Sequence, residues 1–170
     1  MATSKYAKLF GKNPETAKTI FHEITEAGAL QLLYRIRDNA GVPVASFLQE
    51  KDNHGDLPIH VAVKTHRGVK AIQFLKVLAE LGANLNASND TTRLTVLHLA
   101  VVSGDHELVQ WLAMQPQINR NALAWDRLTA YEMAYIKTDH RIMDILTAHG
   151  ARNPQPELVY DWSVFDNKDE

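Results

Sequence analysis

Cysteine is absent from the 170 residues, which excludes disulfides, Cys-ligated zinc and a thiol nucleophile and fits a reducing compartment. Long hydrophobic runs are missing too. The most apolar stretch, Leu94–Val102, still contains Thr95 and His98, and it is far shorter than the roughly 18 apolar residues of a membrane helix. Met1–Lys12 has no apolar core of signal-peptide length, so a soluble chain that is not secreted by a signal peptide is expected. Neither sign of charge dominates. Against 20 Asp+Glu stand 18 Lys+Arg, a net charge of −2, which supplies no global basic field for direct nucleic-acid or anionic-membrane binding. The eight glycines are scattered and form no phosphate-cradling loop. None of the five serines sits in a G-x-S-x-G elbow, which leaves acyl transfer by that route without its nucleophile. What is present, 45% hydrophobic and 22% charged residues, is the balance of a folded globular chain.

Against these absences stands an internal repeat. Ile20-Phe21-His22-Glu23-Ile24, Pro58-Ile59-His60-Val61-Ala62, Val96-Leu97-His98-Leu99-Ala100 and Ala130-Tyr131-Glu132-Met133-Ala134 align, with their third residues spaced 38, 38 and 34 apart. A second landmark (Ala40-Gly41, Pro116 or Gly150-Ala151) follows 16 residues after three of these segments, and Gly82-Ala83 follows 20 after the other. About four residues are therefore expected as a loop insertion near Lys64–Val69. A shared frame of this period is the signature of stacked supersecondary units. Each unit reads as two short helices broken by a small polar pair such as Gly104-Asp105 or Thr138-Asp139, with the apolar face of the second helix at Leu108, Val109, Trp111 and Leu112 in unit three. By this periodicity Trp111 belongs to the core. Polar turns separate the units at Lys51–Asp56, Ala87–Arg93 and Asn119–Arg127, with Gly55 and Gly150 available for positive φ.

These residues resemble the ankyrin repeat. Asp52-Asn53-His54-Gly55-Asp56-Leu57-Pro58-Ile59-His60-Val61-Ala62 is similar to the family's D-x-x-G-x-T-P-L-H-x-A opening. Leu81-Gly82-Ala83-Asn84-Leu85-Asn86-Ala87 is similar to its H-G-A-D-V-N close. The resemblance implies an all-α ankyrin-repeat solenoid of about four helix-turn-helix repeats with short finger turns. The expected organisation is a basic N-terminal segment 1–15, a repeat domain 16–151 (repeats at about 16–50, 51–86, 87–122 and 123–151) and an acidic aromatic tail 152–170. Departures stand at Arg93 and Arg127, where the family has a turn glycine, at Pro116, and in the first unit, which shows no opening turn.

Eight histidines raise the question of a metal. His22, His60 and His98 recur at one position, where the ankyrin resemblance implies that they brace turn backbone. His22-Glu23-Ile24-Thr25-Glu26 starts like H-E-x-x-H and lacks the second histidine. No metal, no cofactor and no enzyme activity are expected. Function is expected on the finger tips and concave face, as partner binding. The candidates are His54 and Asp56 on one finger, Asn89, Asp90 and Arg93 on the next, and Trp125, Asp126 and Arg127 on the last. Trp125 leads them, because it falls in a polar turn and Trp and Arg are favoured anchors; packing of its ring back onto its own repeat stays open. Residues 1–21 carry +3 and residues 157–170 carry −4, the latter with Tyr160 and Trp162. This tail could face a basic surface of a partner or cap the last repeat.

Leu94-Thr95-Val96-Leu97-His98-Leu99-Ala100-Val101 with Glu107-Leu108-Val109, and Ile118-Asn119-Arg120 with Leu128-Thr129-Ala130-Tyr131-Glu132-Met133, are similar to repeats of I-kappa-B inhibitors. Size and unit number resemble the viral I-kappa-B-like ankyrin proteins (vankyrins) of polydnaviruses. That resemblance implies binding and inhibition of host Rel/NF-kappa-B dimers in the host cytoplasm, with the nucleus open. The inhibitors' Asp-Ser-Gly phosphodegron has no counterpart, since no serine here stands between Asp and Gly. About 15 residues precede the first helix, which is read as leaving no regulatory arm. A generic ankyrin adaptor is the alternative.

Overall fold

The computed structural model describes residues 11–39 and 44–152. Among them are eight α-helices in four pairs: α1 Ile20–Glu26 with α2 Leu30–Asn39, α3 Pro58–Thr65 with α4 Gly68–Glu80, α5 Val96–Val102 with α6 His106–Met114, and α7 Ala130–Ile136 with α8 His140–Ala148. A short 3₁₀ turn at Phe47–Gln49 precedes the second pair. First helices pack on first helices and second on second along the stack, so each layer is continuous through the four repeats. One hydrophobic core runs between the layers, from Phe21 and Leu33 through Phe74, Leu75 and Leu97 to Leu112, Ile142 and Leu146. Helices of seven to nine residues are too short to be stable alone. Each is held by the apolar area its neighbours cover, and truncating one of these buried leucines costs about 2–5 kcal/mol.

The four finger turns share one backbone construction, to which a side-chain acceptor is added in the first three. In the second, Asp52 N–H donates to Asp56 O (2.9 Å), Gly55 N–H to Asp52 O (3.0 Å), and the Asp52 carboxylate accepts the His54 N–H (2.8 Å). The third repeats this with Asn89, Leu94, Arg93 and Thr91. The first unit, read from sequence as lacking an opening turn, has one. Asn13 N–H donates to Lys18 O (2.8 Å), Ala17 N–H to Asn13 O (2.8 Å), and the Asn13 amide oxygen accepts the Glu15 N–H (2.9 Å). Its left-handed position is filled by Ala17 (φ 53°), where Gly55 (φ 75°), Arg93 (φ 54°) and Arg127 (φ 66°) stand in the other fingers. Three of four fingers therefore carry a non-glycine residue at a conformation that costs it roughly 1–2 kcal/mol. The motif was hidden because the turn kept its geometry while losing its glycine.

The extra residues of unit two also lie elsewhere than expected. The α3–α4 break is only His66-Arg67, whereas α4 has 13 residues against nine in α6 and α8. The insertion is absorbed as one further helical turn of about 3.6 residues, because Ala71, Phe74, Leu75 and Leu78 continue an apolar stripe that a longer helix can bury. Trp111 is a second correction. It is half-buried rather than enclosed, its ring packed at the core's margin with the Lys76 ammonium 5.9 Å from its centroid.

Adjacent repeats are tied by polar joints at the opposite end from the fingers. Asp105 caps α6 by accepting the Leu108 N–H (3.1 Å) and reaches back to the Gly68 N–H of the preceding repeat (2.7 Å). Asp139 caps α8 through Ile142 (3.1 Å) and reaches back to His106 Nε2 (2.9 Å). Burial raises the Asp139 pKa, but the Ile142 N–H, the His106 bond and the charges of His106 and Lys137 outweigh it and hold the carboxyl below its ordinary value. His66 stacks on Phe74 at 4.7 Å and bonds Thr25 O at 2.8 Å, joining repeat 2 to repeat 1.

Candidate partner-binding surface

The fingers form a row because each tip is bonded to the one before it. Asn53 N–H donates to Thr16 O (3.1 Å), Asp90 N–H to Gly55 O (3.2 Å) and Trp125 N–H to Thr92 O (3.2 Å). Beneath the row, histidines fasten helix to finger. His22 Nδ1 accepts the Thr19 N–H (3.1 Å) and its Nε2 donates to Asp56 O of the next finger (2.9 Å). His60 does the same between the Leu57 N–H (3.0 Å) and Ala87 O (3.0 Å). A ring nitrogen that accepts an N–H carries no proton, so both imidazoles are neutral with the hydrogen on Nε2. Burial pushes His60 down to about 4 and lowers His22, each opposed by the carbonyl it bonds. His98 Nδ1 accepts the Thr95 N–H at 3.3 Å. Its buried Nε2 lies near the Ala122 and Leu128 backbone without a bond of normal geometry, and burial lowers its pKa as well. His22 and His60 spend both ring nitrogens on the scaffold and His98 spends its Nδ1, and among the described residues no group of three or more His, Asp or Glu is placed to hold a metal ion.

The expected surface residues divide. Asp56 (4% exposed) and Asn89 (2%) are interior, which corrects their reading as surface groups. The Asn89 amide donates to Asp56 Oδ1 (2.6 Å) and His54 O (2.9 Å) while its oxygen accepts Thr91 N–H (2.7 Å), and Asp56 Oδ2 accepts from Lys64. Their polar atoms join neighbouring fingers and are spent there. The other six stand in solvent along the row: His54, Asp90 paired with Lys51, Arg93, Trp125, Asp126 and Arg127. Trp125 is 71% exposed and does not fold back on its repeat, although its backbone is fixed by the bond to Thr92. Leu123, 46% exposed, widens this apolar tip. Tyr160 and Trp162 lie outside the described residues.

The residue-by-residue reading of turns missed a second apolar surface. The seventh residue of the first helix is Glu26, Lys64, Val102 and Ile136 in successive repeats. Position Val102 is 46% exposed and Ile136 65%, with Tyr135 beside it at 53%. Charge in two repeats and branched aliphatics in two others at one register mark an exposed site whose apolar character is not demanded by the core. The aligned segments carried that signal. A cleft of about 670 Å³ beside Arg67, Asp105, His106, Glu107 and Arg141 is built from the joints just described, with Asp105 and His106 already paired and Arg67 donating to Val63 O (2.6 Å).

A helix pair beneath each finger, with fingers laddered into a row, defines an ankyrin-type scaffold that presents an extended surface. A family model of ankyrin repeats, in three copies, matches residues 5–122, and the α7–α8 pair forms a fourth repeat beyond that span. "I-Kappa-B like protein N3" of Microplitis demolitor bracovirus (isolate Webb) is 35% identical over 134 residues, 79% of this chain and 82% of that protein. "I-kappa-B like protein N2" of the same virus is 32% identical over 139 residues, 80% and 75% of the two chains. The crystal structure of the ankyrin repeat domain of Bcl-3, titled a unique member of the IkappaB protein family, superposes with a TM-score of 0.72 at 23% identity over 81% of this chain, a likeness of fold. This chain spans 58% of the Bcl-3 one. The chain belongs to the I-kappa-B-like branch of the ankyrin-repeat family. Among the described residues no helix is long and apolar enough to cross a membrane.

Proposed function

We propose that this chain binds and inhibits Rel/NF-kappa-B dimers of a host cell through its finger row and the exposed ends of its first helices, suppressing the host immune response without performing chemistry. The supporting observation is an anchor on a rigid base. Trp125, at 71% exposure, flanked by Arg93, Asp126 and Arg127, projects from a finger whose backbone is already bonded, so little ordering entropy is lost on binding. The I-kappa-B-like relatives direct the choice of partner. Arg93 and Arg127 offer forked donors to carboxylates, Asp90 and Asp126 accept from basic groups, and Val102 and Ile136 extend the contact apolarly. Because these 170 residues contain no Asp-Ser-Gly, the signal that phosphorylates and destroys such inhibitors has no such target here, and inhibition persists. The test is calorimetric titration of the full chain with a Rel-homology-region dimer, followed by its level in cells given that signal. Micromolar or tighter binding and an unchanged level are expected. No heat at tens of micromolar overturns the partner, and signal-dependent loss overturns the persistence.

A further inference from the structure

Repeat 4 leaves uncovered a face that the earlier repeats bury. The sixth residue of the first helix is Thr25, Val63 and Val101 in repeats 1–3, none more than 1% exposed, and Tyr135 in repeat 4, 53% exposed. The fourth residue is Val61 (7%) and Leu99 (9%) in repeats 2 and 3 and half-buried Met133 in repeat 4. In the second helix, Val109 is fully enclosed in repeat 3 while its counterpart Met143 is half-buried. The sixth position and that of Val109, filled by Leu33 and Ala71 in repeats 1 and 2, are buried in every repeat that another follows, whereas at the fourth position repeat 1 carries exposed Glu23. A terminal repeat stays soluble by carrying a polar outer face, and Met133, Tyr135 and Met143 do not make one.

Chain direction identifies the occupant. The Arg152 N–H donates to Asn121 Oδ1 at 2.8 Å, as the Asn119 N–H donates to Asn86 Oδ1 at 2.8 Å one repeat earlier. From Asn119 the chain runs on into the next finger, and Arg152 holds the corresponding place in repeat 4. Eighteen residues follow Arg152, a reach of about 60 Å when extended, against an axis separation of roughly 10 Å within a helix pair. Of the eight residues 158–165, six are apolar or aromatic: Leu158, Val159, Tyr160, Trp162, Val164 and Phe165.

We propose that the segment 153–170 of this same chain covers the outer face of repeat 4, with Leu158–Phe165 laid over Met133, Tyr135 and Met143 in place of a fifth repeat. The test is made on the full chain with Trp111→Phe and Trp125→Phe, which leaves Trp162 as the one indole. Its emission is expected at shorter wavelength, with weaker acrylamide quenching, than that of the free peptide 153–170. Tyr135→Asp, at an exposed position, is expected to return both readings to the peptide's values with helical circular dichroism unchanged. Peptide-like emission in the folded chain overturns the proposal and leaves the segment available to a partner. Protection that appears only as the chain dimerises in sedimentation also overturns it, in favour of a second copy on that face. Should the double Phe variant not fold, 5-fluorotryptophan labelling of the otherwise unchanged chain gives the same reading, with the Trp162 resonance assigned by Trp162→Phe.

Discussion

Acidification should weaken this fold well above the range in which carboxylates titrate. His60 is enclosed, its Nδ1 accepting the Leu57 N–H and its Nε2 bonded to Ala87 O, and burial holds its pKa near 4 against 6.5 for an ordinary histidine. The folded pKa lies below the unfolded one, so the unfolded chain takes up a proton that the folded chain refuses. Stability is then present above 6.5, falls as pH drops from 6.5 toward 4, and levels off below. Between pH 7 and pH 5 this one residue withdraws about 2 kcal/mol. His22 and His98 are lowered for the same reason and add in the same direction. Asp139, also lowered, is ordinarily 3.8 and loses its contribution only below that, outside the window. Against a total stability of roughly 5–15 kcal/mol the effect is large.

Urea unfolding followed by circular dichroism at pH 7 and pH 5, at one ionic strength, measures it directly. The midpoint should fall, and for a chain of 170 residues Tm should drop by about 2–4 °C for each kcal/mol lost. His60→Ala lowers stability at pH 7 and should shrink the difference between the two pH values. His54→Ala, at the exposed finger tip, should leave that difference intact. Equal stability at pH 7 and 5, or loss of the pH dependence on changing His54, refutes the account of neutral braces.

Three other substitutions separate backbone demand from packing and packing from recognition. Gly55 and Gly104 both have positive φ, but a Cβ at Gly55 meets the Asp90 Cβ and backbone nitrogen at 3.1 Å, while at Gly104 nothing lies within 4 Å. Gly104→Ala should therefore cost about 1 kcal/mol from conformation alone and Gly55→Ala clearly more, with thermal unfolding as the check; equal costs would show that the fingers yield freely. Trp125→Ala, at a ring 71% exposed, should leave stability within about 0.5 kcal/mol and weaken Rel-dimer binding by about 2 kcal/mol, near thirtyfold. Loss of stability without loss of binding would make Trp125 a structural residue.

The helix pairs were legible because repetition shows four times what a single helix shows weakly. The apolar stripe at Ile142, Met143, Ile145 and Leu146 is short, yet it stands in register with Leu108, Val109, Trp111 and Leu112. Exposure was legible where it follows from turn geometry, as at Trp125, and illegible where a polar turn residue serves the turn itself. Asp56 and Asn89 have the composition of a surface and the function of an interior: the Asn89 oxygen accepts the Thr91 and Thr92 N–H groups and so points into its turn, and the Asp56 carboxylate accepts from the Asn89 amide and Lys64. Ala17 hid the first finger for a related reason, because local strain of about 1–2 kcal/mol is tolerated when packing over-determines the turn.

One residue shows how far a single position can speak for the architecture. His22, His60 and His98 give way at the fourth repeat to Glu132, whose Oε2 accepts the Thr129 N–H at 2.7 Å and its hydroxyl at 2.8 Å. That keeps the half of the histidine's work that caps the helix. The other half needs a donor aimed at the carbonyl of a following finger, and a carboxylate has none to give. Repeat 4 is therefore built to cap its own helix and to brace no finger of the same kind beyond it.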